Sequence, residues 1–129
     1  MMAITNIIMN SKKPRKLSES KFNERQHECQ QALTILKEHF DLHYLAEAPL
    51  NSLQYLKDET LKKRARHVIT ENQRVQFSIK QLSKNNIKAL GDYLTASHRS
   101  LKEDYEVTGF ELDSLVDAAN SHDACIGAR

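Results

Sequence analysis

The sequence predicts a mainly α-helical domain that opens with one short strand. Leu61, Ala65, Val68, Asn72, Val75, Ile79 and Leu82 recur at steps of four and three, which puts them in one stripe along a helix of about six turns. Ile87, Leu90, Leu94, Leu101 and Tyr105 share one face of a second long helix. Only residues 3–9 read as extended, because Ile4, Ile7 and Ile8 suit a pleated, half-buried surface.

In chain order, the strand at 3–9 runs into a basic, proline-containing loop at 10–17. Ser18 or Ser20 can cap a helix over 18–40, whose apolar positions are Phe22, Cys29, Ala32, Leu33, Leu36 and Phe40. A break covers 41–49, and Asn51 or Ser52 starts a short helical piece with Leu53 and Leu56. Asp58 is the expected N-cap of the helix over 58–84, with Glu59 favourable in its first turn. Lys84-Asn85-Asn86 ends it, and a helix over 86–105 follows as its antiparallel neighbour, since so short a link leaves little choice. The 58–84 stripe is expected to pack on that partner. Val107-Thr108-Gly109 breaks the chain before a last helix over 109–121. A lone strand lacks partners for its backbone groups, so 3–9 is expected to belong to a larger sheet and otherwise to fray or to pair with a second copy.

Composition narrows the function classes. The chain has 129 residues, 40% of them apolar and 28% charged, with a formal net charge of +2. Basic residues are dispersed among acids, so no nucleic-acid footprint forms. No apolar run approaches the ~20 residues of a membrane span, and no signal peptide is evident. Cys29 and Cys125 are too few and too far apart for a disulfide framework or a zinc site, which makes a reducing cytoplasm the expected setting. The three glycines, Gly91, Gly109 and Gly127, are mutually distant, so no glycine-rich phosphate loop is encoded.

Three blocks carry a family resemblance. Lys13-Pro14-Arg15-Lys16-Leu17 precedes Ser20-Lys21-Phe22-Asn23-Glu24-Arg25, with Glu28-Cys29 in continuation. Arg64-Ala65-Arg66-His67-Val68 is followed by Glu71-Asn72 and Arg74. Ser97-His98-Arg99-Ser100-Leu101 leads through Asp104-Tyr105-Glu106-Val107 to Glu111-Leu112-Asp113-Ser114-Leu115-Val116, and Gly127-Ala128-Arg129 closes the chain. In this order they resemble the central-to-C-terminal helical segment of galactokinases, the sugar-1-kinase branch of the GHMP kinases. The resemblance implies the helical layer of a GHMP-type α+β C-terminal domain. It also implies a parent activity: ATP- and magnesium-dependent phosphorylation of galactose to galactose 1-phosphate. In that family the sugar signature, phosphate loop and catalytic Asp precede this segment and a glycine-rich loop follows Gly-Ala-Arg. The chain is therefore expected to be a partial, catalytically silent kinase that binds neither ATP nor magnesium alone. Complementary kinase fragments are expected partners. A non-catalytic helical binding or interaction module derived from a sugar kinase is the alternative.

One position carries a site role by resemblance. Phe22 stands where the family has a sugar-contacting Tyr, and it keeps the ring without the hydroxyl. Read from the residues alone, Phe22 is equally a core aromatic at a helix N-terminus. Arg64, Arg66, His67, Glu71 and Arg74 read as a structural ion-pair network, and Asn72 as an amide bonded to a loop backbone. His98, Asp104 and Tyr105 read as polar contacts bracing the turn at 107–109. His39 and His43, four apart, read as surface histidines in the absence of a third ligand. Cys29 and Cys125 read as small buried apolar residues.

Overall fold

The computed structural model describes residues 4–14 and 18–129. Four helices account for most of them: α1 (Ser18–Leu36), α2 (Glu59–Ser83), α3 (Ile87–Glu103) and α4 (Gly109–Asn120). Two 3-10 turns, Leu45–Glu47 and Leu50–Tyr55, connect α1 to α2.

α1 stops at Leu36 rather than running to 40. Glu38 and His39 donate to the carbonyls of Ile35 and Leu36, so the ladder tightens to three-residue spacing and the chain turns away. That turn carries Leu42, Leu45, Ala48 and Leu56 back against Ala32, Leu33 and Leu36 of α1 and Leu61, Ala65 and Ile69 of α2, and these residues form the core. α2 begins where its cap dictates: the Asp58 carboxylate accepts from the backbone amides of Thr60 (2.8 Å) and Leu61 (3.2 Å), an arrangement worth about 1 kcal/mol. It ends at Ser83, beyond which Asn85 is left-handed with a φ of 58°, and Asn86 then caps α3 by accepting from Ala89 N.

α2 is the spine, and its two flanks differ. The apolar stripe was expected against α3, but α1 and the two 3-10 turns cover it instead, through Leu61, Ala65 and the half-buried Val68. α3 packs antiparallel on the neighbouring flank, through pairs that step in opposite directions: Arg66 with Asp104, His67 with Ser100, Glu71 with Ser97 and Phe77 with Tyr93. Most of this seam is polar, because its residues lie beside the stripe rather than in it. Asn72 reaches the carbonyl of Ala46 at 3.4 Å and ties the spine to the first 3-10 turn. The cover is shorter than α2, so Val75, Ile79 and Leu82 stay exposed, Ile79 by 63%.

The expected strand at 3–9 is not formed over 4–9, and Ala3 lies outside the described residues. Ile8 is 96% exposed. The physical reason is the missing partner: no strand occurs among the described residues, and an unpaired strand cannot satisfy its own backbone. The segment is tethered at its far end, where Lys13 Nζ meets Glu111 Oε2 of α4 at 3.0 Å. α4 is joined to α3 by His98 Nε2 and Asp113 Oδ1 at 2.9 Å.

The two halves of the α2 stripe should respond differently to truncation. Ile69, 1% exposed, should lose about 2–5 kcal/mol as Ile69→Ala. Ile79→Ala should stay within about 0.5 kcal/mol. Urea unfolding of both variants measures this, and equal losses would mean that the outer half is also covered in solution.

Candidate functional site

Phe22 lies on the early turns of α1 and is 67% exposed, so it is not a core aromatic. It opens onto a cavity of about 800 Å³ lined by Lys21, Phe22, Asn23, Arg25, Leu101, Tyr105 and Val107. The wall facing α1 thus comes from the end of α3 and the segment after it. Leu101, Tyr105 and Val107 make that wall apolar, while Lys21 and Asn23 bring polar heads to the rim.

A cluster of buried charges holds the two walls together. Glu28 uses both carboxylate oxygens, one on Arg25 Nη1 at 2.7 Å and one on Arg64 Nε at 3.0 Å. Arg25 also donates through Nε to the Tyr105 carbonyl and through Nη2 to the Glu106 carbonyl at 3.3 Å. Arg64 Nη1 donates to the Asp104 carbonyl at 2.8 Å and to the Glu106 carboxylate at 2.7 Å. Two guanidiniums therefore bind three successive carbonyls, 104–106, in the turn that leaves α3. Glu106 sits there at a φ of 56°, a left-handed conformation uncommon for non-glycine residues. Burial works against the charge on Arg64, but its hydrogen bond to Glu106 and the charge of Glu28 outweigh it and raise its pKa. The same hydrogen bond holds the Glu106 carboxyl below its usual range.

Beside this cluster runs the α2–α3 seam. The Tyr105 hydroxyl meets Cys29 Sγ at 3.5 Å, and burial pushes both groups' pKa values up. The Tyr105 ring lies 4.5 Å from the His67 ring, and His67 Nδ1 is 2.8 Å from Ser100 Oγ. Burial, with Arg74 and Arg129 nearby, lowers the His67 pKa against the pull of Glu71 and Asp104. Glu71 accepts from Ser97 Oγ at 2.7 Å and from Arg74 Nη2 at 2.9 Å. Burial disfavours its charge, but these two donors prevail and lower its pKa.

Among the residues singled out in the sequence, Arg64, Arg66, His67, Glu71 and Arg74 fall into this polar framework. His98, Asp104 and Tyr105 do not converge: each is taken by a different partner, Asp113, Arg66 and Cys29 respectively. His39 stacks on Tyr55 at 4.0 Å and His43 approaches Glu47. Since α1 has already ended, their spacing of four is not helical. No group of three or more metal-ligating residues occurs among the described residues. Cys29 and Cys125 are both half-buried free thiols. Sequence reasoning gave no role to Arg25 and Glu28. The available signal was their position three apart, in line with Cys29, Ala32 and Leu36 on the inward face of α1.

No family model matches the chain. The galactokinase of Staphylococcus saprophyticus is 44% identical over 126 residues, which is 95% of this chain and 33% of that protein. The chain is homologous to one third of a galactokinase. The Clostridium tetani galactokinase agrees at 48% identity over 126 residues, 95% of this chain and 32% of that protein. In three dimensions, the crystal structure of Lactococcus lactis galactokinase complexed with galactose superposes with a TM-score of 0.88 at 43% identity. It covers 93% of this chain and 32% of that one. The chain thus spans roughly a third of the length of the galactokinases it matches.

Two outcomes follow for this framework. Glu28→Ala removes the one buried carboxylate shared by Arg25 and Arg64 and leaves them only the exposed Glu24 and Glu106; it should destabilise the chain by about 3 kcal/mol, with Glu28→Gln falling between it and the parent chain in chemical denaturation. Thermal melting should also depend on pH in two windows. The unfolded His67 binds its proton below its ordinary pKa of 6.5 while the folded one resists it, so its contribution is complete above 6.5 and is lost as the pH falls from there to its lowered folded value. Glu71 and Glu106, held below 4.5, contribute fully above that value and lose their contribution as the pH falls further through their folded values. His67→Gln should flatten the first window and leave the second.

Proposed function

We propose that the chain forms the helical part of a galactose-phosphorylating kinase and that the cavity at Phe22 faces the sugar. The observation that carries this reading is the TM-score of 0.88 to a galactokinase complexed with galactose, over 93% of the chain. In this reading the Phe22 ring packs on the apolar C–H face of the sugar, and Lys21 and Asn23 supply polar contacts at the rim. Arg25 takes no direct part, because its guanidinium is already engaged by Glu28 and the 105–106 carbonyls. Its task is to hold Tyr105 and Val107 as the opposite wall.

Phosphoryl transfer from ATP with magnesium needs phosphates cradled by backbone amides, a metal and a group that positions the nucleophile. In this reading nucleotide and metal are held by the other two thirds of a galactokinase fold, and the 129 residues are read as silent by themselves. Two of the three glycines, Gly91 and Gly127, meet each other rather than open space. The GHMP-type α+β domain is the architecture that this assignment calls for. The bare stripe Val75, Ile79 and Leu82 is read as a face which the rest of that fold covers.

The test pairs the chain with a galactokinase polypeptide from which the matching third has been deleted. Neither part alone should phosphorylate galactose. The mixture should form a complex and turn over galactose with ATP and magnesium, and Ile79→Glu should prevent the complex from forming. Phe22→Tyr restores a hydroxyl, and one hydrogen bond of about 1 kcal/mol should lower KM for galactose by roughly fivefold. Turnover by the homogeneous chain alone, abolished by a mutation within it, would overturn the division of labour. Galactose binding without turnover in the complex would favour a non-catalytic sugar-binding module.

A further inference from the structure

We propose that Gly91 and Gly127 form a backbone clasp that seats residues 125–129 on α3. Gly91 lies inside α3 and is buried. A Cβ built on it would overlap the carbonyl oxygen and carbon of Ile126 and stand 3.0 Å from the Ile126 Cβ. The relation is reciprocal, since a Cβ on Gly127 would overlap the carbonyl and Cα of Gly91. Backbone therefore rides on backbone with no side chain between, and each glycine is required by the other. Contacts of this kind bring Cα–H groups onto carbonyl oxygens.

Turn geometry does not explain Gly91. Its φ is not in the left-handed range, where Gly109 alone stands among the glycines. A glycine inside a helix is also less favourable than alanine, so the close crossing is what gives the residue its reason. The approach to the crossing is shaped by the turn after α4. Cys125 N donates to the His122 carbonyl at 3.0 Å, and Cys125 Sγ reaches the Gly127 carbonyl at 3.5 Å.

Gly91 is thus a positioning residue for the C-terminal segment. The inference does not depend on the reading of the Phe22 cavity as a sugar site.

Backbone dynamics by NMR on the 129-residue chain test the clasp. In Gly91→Ala the order parameters of Ile126 to Arg129 should fall from the rigid range near ~0.85 toward ~0.6 or below. The helicity of α3 should hold or rise, because alanine is the better helix former. Gly127→Ala, outside every helix, should reproduce the loosening and serves even if the helix variant folds poorly. A rigid segment in both alanine variants would overturn the clasp.

Discussion

Glu28 is the residue on which the arrangement of the helices most depends. It is the only carboxylate shown between Arg25 and Arg64 that is itself buried, and the three lie on two helices whose remaining contacts are apolar. Two guanidiniums in a low-dielectric interior repel each other, and burying either without a counter-charge costs several kcal/mol. With Glu28 between them, both become donors of fixed direction, and both are aimed at the 104–106 carbonyls. The end of α3 is therefore held by hydrogen bonds whose donors are in turn held by one carboxylate. The left-handed Glu106 and the placement of Tyr105 and Val107 in the cavity wall follow from that grip.

Charge and apolar surface divide the work along α2. Toward α1 and the 3-10 turns, the spine presents Leu61, Ala65 and Ile69, and the interface is a packed core whose energy follows buried area. Toward α3 it presents Arg66, His67 and Glu71, and the interface is a row of directional bonds. A close-packed core resists displacement through volume, whereas a row of paired donors and acceptors adds a fixed register through direction. The antiparallel register of α2 and α3 is thus set by polar chemistry, and the separation of α1 from α2 by volume. The cavity at Phe22 lies between the early turns of α1 and the end of α3, outside both interfaces.

Much of the helical pattern was legible because apolar spacing reports which elements exist. Asp58 announced its cap, and the Lys84-Asn85-Asn86 link announced the antiparallel pair. The same spacing did not reveal which neighbour would cover the stripe. Leu61 and Ala65 pattern alike whether they meet α3 or α1, and the choice was made by residues outside the stripe, His67 and Glu71, that read as members of an ion-pair network without indicating the helix they would face. Ile69 was missed for a related reason: it lies one position off the three–four pattern yet is among the most buried residues. The strand at 3–9 failed because its residues have strand character but the described chain offers no pairing edge. Arg25 and Glu28 stood in view within a family-like block, and only their burial shows that they are a fastening rather than a surface pair.

Gly91 extends the same lesson from side chains to backbone. A lone glycine in a helical pattern reads as a weak point, and nothing local says otherwise. Its meaning appears only when Gly127, thirty-six positions away in the numbering, lies against it. The polar cluster around Glu28 fixes one end of α3 by charge, and the glycine crossing engages the other end by the absence of side chains. Both devices act on the same helix, and both bring segments from distant parts of the sequence onto it. α3 is in this sense the element that organises the rest: the cavity wall at its C-terminal end and the segment that crosses it at Gly91 are both positioned relative to it. A helix pinned at both ends has little freedom to slide along α2, which is what a directional seam such as His67–Ser100 and Glu71–Ser97 requires to remain intact.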